Sequence, residues 1–165
     1  MANILMIDYE KCTGCRLCEL VCSVKHDGVS NPTRSRIKIV KWEMEGRFVP
    51  MSCQQCESAP CQAVCPVKAI SRDENLNRVD IDYDICIGCR ICVAVCPFGC
   101  IAFDTLAKRA IKCDFCDGDP VCVKFCETGA IQYVDASVVS SVRQRAAAEK
   151  FSGIMRKVAA ALATV

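Results

Sequence analysis

The chain has little with which to do chemistry through its own side chains. It has one histidine, His26, and one tryptophan, Trp42. The sequence shows no glycine-rich phosphate loop, no paired histidine ligands and no Ser-His-Asp set. No uncharged apolar run reaches the roughly 18 residues that suggest a membrane-spanning helix. The opening MANILMIDYEKC has neither the charged-then-apolar pattern of a secretory signal nor a twin-arginine motif, so a cytoplasmic location is expected. The formal charge is only +2 and no basic-aromatic patch occurs, which argues against nucleic acid as a partner.

Cysteine is what the chain has in excess: 17 of 165 residues. Disulfides suit an oxidising compartment and an even count, and neither applies here. In a reducing compartment, dense cysteine points to metal. Sixteen of the 17 cysteines fall into four motifs. These are Cys12, Cys15, Cys18, Cys22; then Cys53, Cys56, Cys61, Cys65; then Cys86, Cys89, Cys92, Cys96; then Cys113, Cys116, Cys122, Cys126. Cys100 is left over and reads as a small buried residue. Two Cys-x-x-Cys knuckles would make a zinc site, but zinc needs no third cysteine at the same interval and no fourth one three residues on.

The third motif, CIGCRICVAVCP, follows the bacterial ferredoxin run without a mismatch. Three closely spaced thiolates wrap three corners of one [4Fe-4S] cubane, and the fourth ligates the other cluster of a pair. Four motifs therefore predict four [4Fe-4S] clusters. Their charge, about −2 each, would turn the formal +2 into roughly −6. Gly14 and Gly88 sit in matching loops, where the missing Cβ lets backbone amides approach the cluster. Motifs two and three end in Cys-Pro (Cys65-Pro66, Cys96-Pro97), whereas the outer motifs end in Cys22-Ser23 and Cys126-Glu127. Sequential pairing of motifs stays conceivable, but the prolines favour nesting. Nesting gives site A as Cys12, Cys15, Cys18 and Cys126, and site B as Cys113, Cys116, Cys122 and Cys22. Site C is Cys53, Cys56, Cys61 and Cys96, and site D is Cys86, Cys89, Cys92 and Cys65. No catalytic residue is predicted, because a fully ligated cubane leaves no iron open to substrate.

The expected fold is α+β: two nested bacterial ferredoxin-like units within residues 1–135, an inserted β-hairpin and a C-terminal helix. The outer unit covers about 1–30 and 105–135, the inner about 50–104. ILMIDYEKCTGCRLC repeats as VDIDYDICIGCRIC, and KAISR, CIAFD and GAIQYV read as strands after three of the motifs. Alternation at Ile37 and Ile39 with a turn near Gly46 marks the hairpin. Trp42 reads as packing or as cover for a cluster, and His26 as a surface or turn residue. Residues 136–165 read as a helix with Phe151, Ile154, Met155, Val158 and Leu162 on one face. That face either packs on the chain itself, docks another subunit or lies on a membrane surface.

Across residues 1–135 the sequence resembles the four-cluster iron–sulfur subunits of multisubunit oxidoreductases, the dimethyl sulfoxide reductase group. NPTRSRIKIV after the first motif is similar to that group as well. Within it, the short length and the cysteine-free helix look most like the small subunit of tungsten-dependent aldehyde oxidoreductases. That resemblance implies a large catalytic subunit holding tungstopterin, a flavin subunit that exchanges electrons with NAD, and an anaerobic host. Subunits linked to carbon monoxide dehydrogenase, hydrogenase or other pterin enzymes remain alternatives, as does a free polyferredoxin. The wider gaps in the second and fourth motifs depart mildly from the simple run without removing a ligand.

Overall fold

The structure is a computed structural model that describes residues 3–162, apart from the side chains at 142, 146, 150 and 157–162. Eight short strands pair into four separate two-stranded sheets. The first sheet joins the two ends of the cysteine region, β1 (Asn3–Ile7) with β8 (Ile131–Asp135). The others are hairpins: β2 (Ile37–Trp42) with β3 (Arg47–Ser52), β4 (Ile70–Asp73) with β5 (Arg78–Ile81), and β6 (Ala102–Asp104) with β7 (Arg109–Ile111). All three strand expectations hold: KAISR becomes β4, CIAFD β6 and GAIQYV β8.

In the first motif no proline follows the fourth cysteine, and α1 (Leu17–Asp27) runs eleven residues, past Cys22, to a left-handed Gly28. Ser23, fully buried at its middle, donates to the Leu20 carbonyl at 2.8 Å and accepts the Asn31 N–H at 3.0 Å. In the inner motifs the helices are short. α2 (Pro60–Ala63) has proline in its first turn, where no N–H is missed. α3 (Ile91–Val95) stops at Cys96, before Pro97. α4 (Val121–Lys124) follows the fourth motif's wider gap.

Two apolar cores result, one drawn from the middle of the cysteine region and one from its two ends. The inner core gathers Ala59, Ile70, Val79, Ile81, Ile101 and Ala110 around Cys61 and Cys92. The outer core gathers Ile37, Ile39 and Ile131 around Cys18, Cys22 and Cys122, so that segments from both ends of the cysteine region share it. Within the outer core, α1 packs on α4; within the inner, α2 packs on α3.

The inserted hairpin pairs Ile37 with Ser52 and Trp42 with Arg47. Its alternation buries Ile37 and Ile39 and leaves Val40 and Trp42 outside. Trp42 is 41% exposed, with the Arg47 guanidinium over its ring, so it belongs to neither core. The hairpin is pinned to α1 by Glu19, a buried carboxylate that accepts the Ile39 N–H at 2.9 Å and pairs with Arg16.

Leu5–Tyr133 forms one compact unit by contacts, and the remaining segments form the other. That second unit contains α5 (Ala136–Leu162), a single 27-residue helix. Asp135 accepts the Ser137 N–H at 2.8 Å at its start. Phe151, Ile154 and Met155 are exposed; the expected Val158 and Leu162 side chains lie outside the described residues. Among the described residues no helix is long and apolar enough to cross a membrane.

Candidate iron–sulfur sites

Each motif begins with the same backbone turn. The residue before the second cysteine has positive φ in all four: Gly14 at 72°, Gln55 at 49°, Gly88 at 68° and Phe115 at 58°. A left-handed residue here turns successive N–H groups to one side of the loop, the concave arrangement that favours an anion. Glycine fills the position at no steric cost in two motifs, and the other two tolerate a side chain. The two glycines are also crowded. A Cβ on Gly14 would lie 2.5 Å from the Phe48 ring, and one on Gly88 would run into the Lys108 carbonyl. Arg16 and Arg90, one residue past the second cysteine, repeat the correspondence with φ of 63° and 66°. The fourth motif takes up its longer gap with four consecutive positive-φ residues, Phe115, Cys116, Asp117 and Gly118. Phe115 is held there by burial and by the Tyr133 ring at 5.4 Å.

The cysteines gather in groups drawn from more than one motif. One pocket is lined by Cys53, Cys56, Cys61 and Cys96, with Ala59, Val79 and Ile101 as its apolar wall. A second is lined by Cys65, Cys86, Cys89 and Cys92, with Ile70 and Ile81. Three cysteines of one inner motif thus meet the fourth cysteine of the other, twice. In the outer core Cys18, Cys22 and Cys122 are buried together, with Cys12 and Cys126 packed against them. Cys22 lies close enough for its charge to act on Cys113, Cys116 and Cys122, while Cys12 and Cys15 act on Cys18.

As free thiols these groups resist ionisation. Burial, then neighbouring acidic groups, push Cys18 up to about 12, and burial alone leads the rise of Cys113 to about 12. Cys122 is pushed up further, again by burial first. Burying several thiolates together is prohibitive without a cation among them. Iron supplies that cation, so the donor set fits [4Fe-4S] clusters, whose chemistry when bound is one-electron transfer.

Each remote fourth cysteine also has a donor near its sulfur. The Arg36, Ala69 and Cys100 N–H groups point to Cys22, Cys65 and Cys96 at 3.3, 3.2 and 3.4 Å. The Thr128 hydroxyl lies 3.7 Å from Cys126. Hydrogen bonds to ligand sulfurs set cluster potentials. After the two Cys-Pro motifs the donor is the residue four places on. After Cys22, where the helix continues, it comes instead from Arg36 at the start of the hairpin.

Some residues at these sites carry no sequence signal. His26 is not the surface residue expected. Its side chain is 11% exposed on α1, and its Nε2 lies 3.6 Å from Cys116 Sγ. The α1 helix, extended past Cys22, carries it inward. Arg36 reaches His26 Nδ1 at 2.7 Å and the Asp114 carboxylate at 2.5 Å. Burial, then the Arg36 charge, hold the His26 imidazole below its usual pKa. Burial works against the Asp114 carboxylate, but Arg36 and the Cys116 N–H outweigh it and its pKa is lowered. Cys100 is half-buried, donates to the Phe98 carbonyl at 3.3 Å, and is pushed up to about 11 by burial and then by Cys96. It lines neither of the two inner cysteine cavities.

Residues 44–136 match the 4Fe-4S dicluster domain, and residues 5–25 match a 4Fe-4S binding domain. The chain belongs to the 4Fe-4S dicluster family. One relative of this dicluster chain is the putative electron transport protein YsaA of Escherichia coli, 38% identical over 125 residues, or 68% of this chain and 75% of YsaA. A polyferredoxin-like subunit of an aliphatic sulfonate oxidoreductase from Pyrococcus furiosus is 42% identical over 56% of this chain and 53% of its own length. The thiosulfate reductase electron transfer subunit PhsB of Salmonella typhi is 41% identical over 58% of this chain and 52% of its own. The dicluster chain thus spans about half the length of the latter two. Among solved structures, the BamBC active site complex of benzoyl coenzyme A reductase with zinc contains a chain that is 26% identical, with a TM-score of 0.50 over 95% of this chain and 97% of that one.

Proposed function

We propose that the chain is an electron-transfer subunit that relays single electrons through four [4Fe-4S] clusters held at sites A to D. The observation that carries this reading is the pair of inner cavities, each lined by three cysteines of one motif and the fourth of the other. The outer core supports the same exchange between the first and fourth motifs. The protein binds, spaces and shields the clusters, and its N–H donors and charges tune them. With every iron held by cysteine, no residue here acts on a substrate. Relatives named as electron transfer or polyferredoxin-like subunits support a place in an oxidoreductase complex.

The partner is a large catalytic subunit, foremost a tungstopterin aldehyde oxidoreductase, with a flavin subunit at the other end of the relay in the cytoplasm. The α5 helix, with exposed Phe151, Ile154 and Met155, serves as its docking element. Anaerobic purification from the native host, followed by metal analysis of the copurified subunit, tests the partner. Tungsten in a large subunit supports the assignment, and a monomeric native chain overturns it. About sixteen irons per chain test the relay itself. Truncation before Ala136 should abolish the association and leave the iron count unchanged.

A further inference from the structure

Among the described residues one lysine is completely buried. Lys112 follows β7 and is 1% exposed. Its ammonium donates to the Val79 carbonyl, to the Cys113 carbonyl at 2.9 Å and to Gln55 Oε1 at 3.3 Å. These acceptors are neutral. Among the described residues no carboxylate lies within ion-pair distance of it. The comparable cations Arg36 and Arg78 do have acidic partners, Asp114 for the first and Asp80 and Asp117 for the second. An unpaired buried ammonium is strongly unfavourable, so a compensating negative charge is expected close by.

The acceptors show where that charge lies. Val79 and the loop holding Gln55 belong to site C: Val79 walls its cavity, and Gln55 stands between Cys53 and Cys56. Cys113, the next residue along the chain, belongs to site B. Gln55 completes the bridge by donating to the Cys113 carbonyl at 2.7 Å and accepting the Val79 N–H at 2.8 Å. Lys112 therefore sits at the junction between the outer and inner units, within reach of one site in each.

We infer that Lys112 is a positioning residue for electron transfer: its ammonium, fixed between sites B and C by three neutral acceptors, is a shared positive charge that raises the reduction potential of the clusters at these two sites above what their cysteines alone would set. An added electron at either site is stabilised by the neighbouring cation in a medium of low dielectric. Sites A and D lie outside this arrangement. The inference rests on the four-site relay proposed above, and the two are tested separately.

The test is an EPR-monitored potentiometric titration of the full anaerobic chain with Lys112→Met and Lys112→Arg. Iron content of the unaltered chain, about sixteen, decides the four-site reading by itself. At unchanged iron content, Lys112→Met should lower two cluster potentials and leave the others in place, and Lys112→Arg should restore them. A merely structural role would weaken the fold without this selective shift. Unchanged potentials, or equal shifts in all clusters, would overturn the inference. If Lys112→Met does not load, Lys112→Gln is compared with Lys112→Arg. Full loading by the arginine form alone supports the charge, and loss of loading in all three variants overturns it in favour of packing.

Discussion

The inner and outer units use nearly the same cysteine spacing and surround it differently. The inner sites are closed by aliphatic side chains: Ile70 and Ile81 on one side, Val79 and Ile101 on the other. Their helices are four and five residues long, and each is followed shortly by a Cys-Pro pair. The outer unit keeps an eleven-residue α1, takes in a hairpin, and buries or half-buries Glu19, His26, Arg36 and Asp114 beside its cysteines. Spacing thus sets where the thiolates converge, while the residues between motifs set the polarity around them. A relay needs both, because burial, charge and hydrogen bonds to sulfur fix the potential of each cluster.

The largest expected effect separates nested from sequential pairing. Cys96→Ala removes a wall of the cavity shared with Cys53, Cys56 and Cys61, so iron should fall by up to about four per chain, and the spectrum of site C should be lost or changed to a three-iron signal. Change at the site of Cys113 instead, with site C intact, would reject nesting. Because these cores are small and lined with cysteine, complete removal of iron by a chelator should also cost the fold its cooperative transition.

A smaller effect tests the matching loops against each other. Gly14→Ala and Gly88→Ala both place a Cβ at positive φ, at roughly 1–2 kcal/mol. The second also meets the backbone carbonyl of Lys108, which cannot move aside as the Phe48 ring can. Overpacking adds about 1–3 kcal/mol there. Denaturant midpoints of the loaded protein should therefore rank parent above Gly14→Ala above Gly88→Ala. The reverse order of the two variants would mean that the hairpin, not the β6–β7 turn, is the tighter neighbour.

Sequence alone carried the cysteine geometry because ligand spacing is local. The strands after three of the motifs were legible for the same reason, as was the hairpin, whose Ile37 and Ile39 alternate with outward residues. Cys-Pro dipeptides mark the ends of the two inner motifs. The buried polar residues were not legible. Glu19 looks like any early-helix acid, and only the fold brings the Ile39 N–H to it. Lys112 resembles the other lysines until β5 and the second motif close over it. His26 reads as a surface residue because its inward position depends on how far α1 continues past Cys22 and on where Arg36 and Asp114 arrive. Long-range contacts decide each of these, and no spacing rule encodes them.

The next effect probes a contact between the two units. Arg34, in the segment after α1, pairs with Asp104 of β6 at 3.0 Å, and the same carboxylate accepts the Leu106 and Ala107 N–H groups at 2.9 and 3.1 Å. The Ala107 N–H foremost, then Leu106 and Arg34, hold its pKa below the usual carboxylate range against burial. Asp104→Asn should cost about 1–3 kcal/mol at neutral pH. A depressed folded pKa gives stability that is complete above the unfolded value of about 3.9 and is lost as pH falls toward the folded one. The gap between parent and variant, read from hydrogen exchange of the Leu106 and Ala107 amides, should stay constant from about pH 8 to 6 and narrow only below about pH 5. A gap that closes already near neutrality would assign it to another group.

The smallest effect lies at the tip of the hairpin, the region that most distinguishes the outer unit. Trp42 and Arg47 face each other across the last pair of β2 and β3, with the guanidinium 4.7 Å from the ring centroid. Exposed contacts of this kind contribute about 0.5–1 kcal/mol. Trp42 is partly open to solvent, and its removal leaves Ile37, Ile39 and the Glu19 anchor in place. Trp42→Ala should therefore lower stability by less than about 1 kcal/mol and leave iron content and all cluster potentials unchanged. A fall in iron content would show that the tip of the hairpin shields an outer site as well as bracing it, and the contrast between an apolar inner shell and a polar outer one would then have to include this ring.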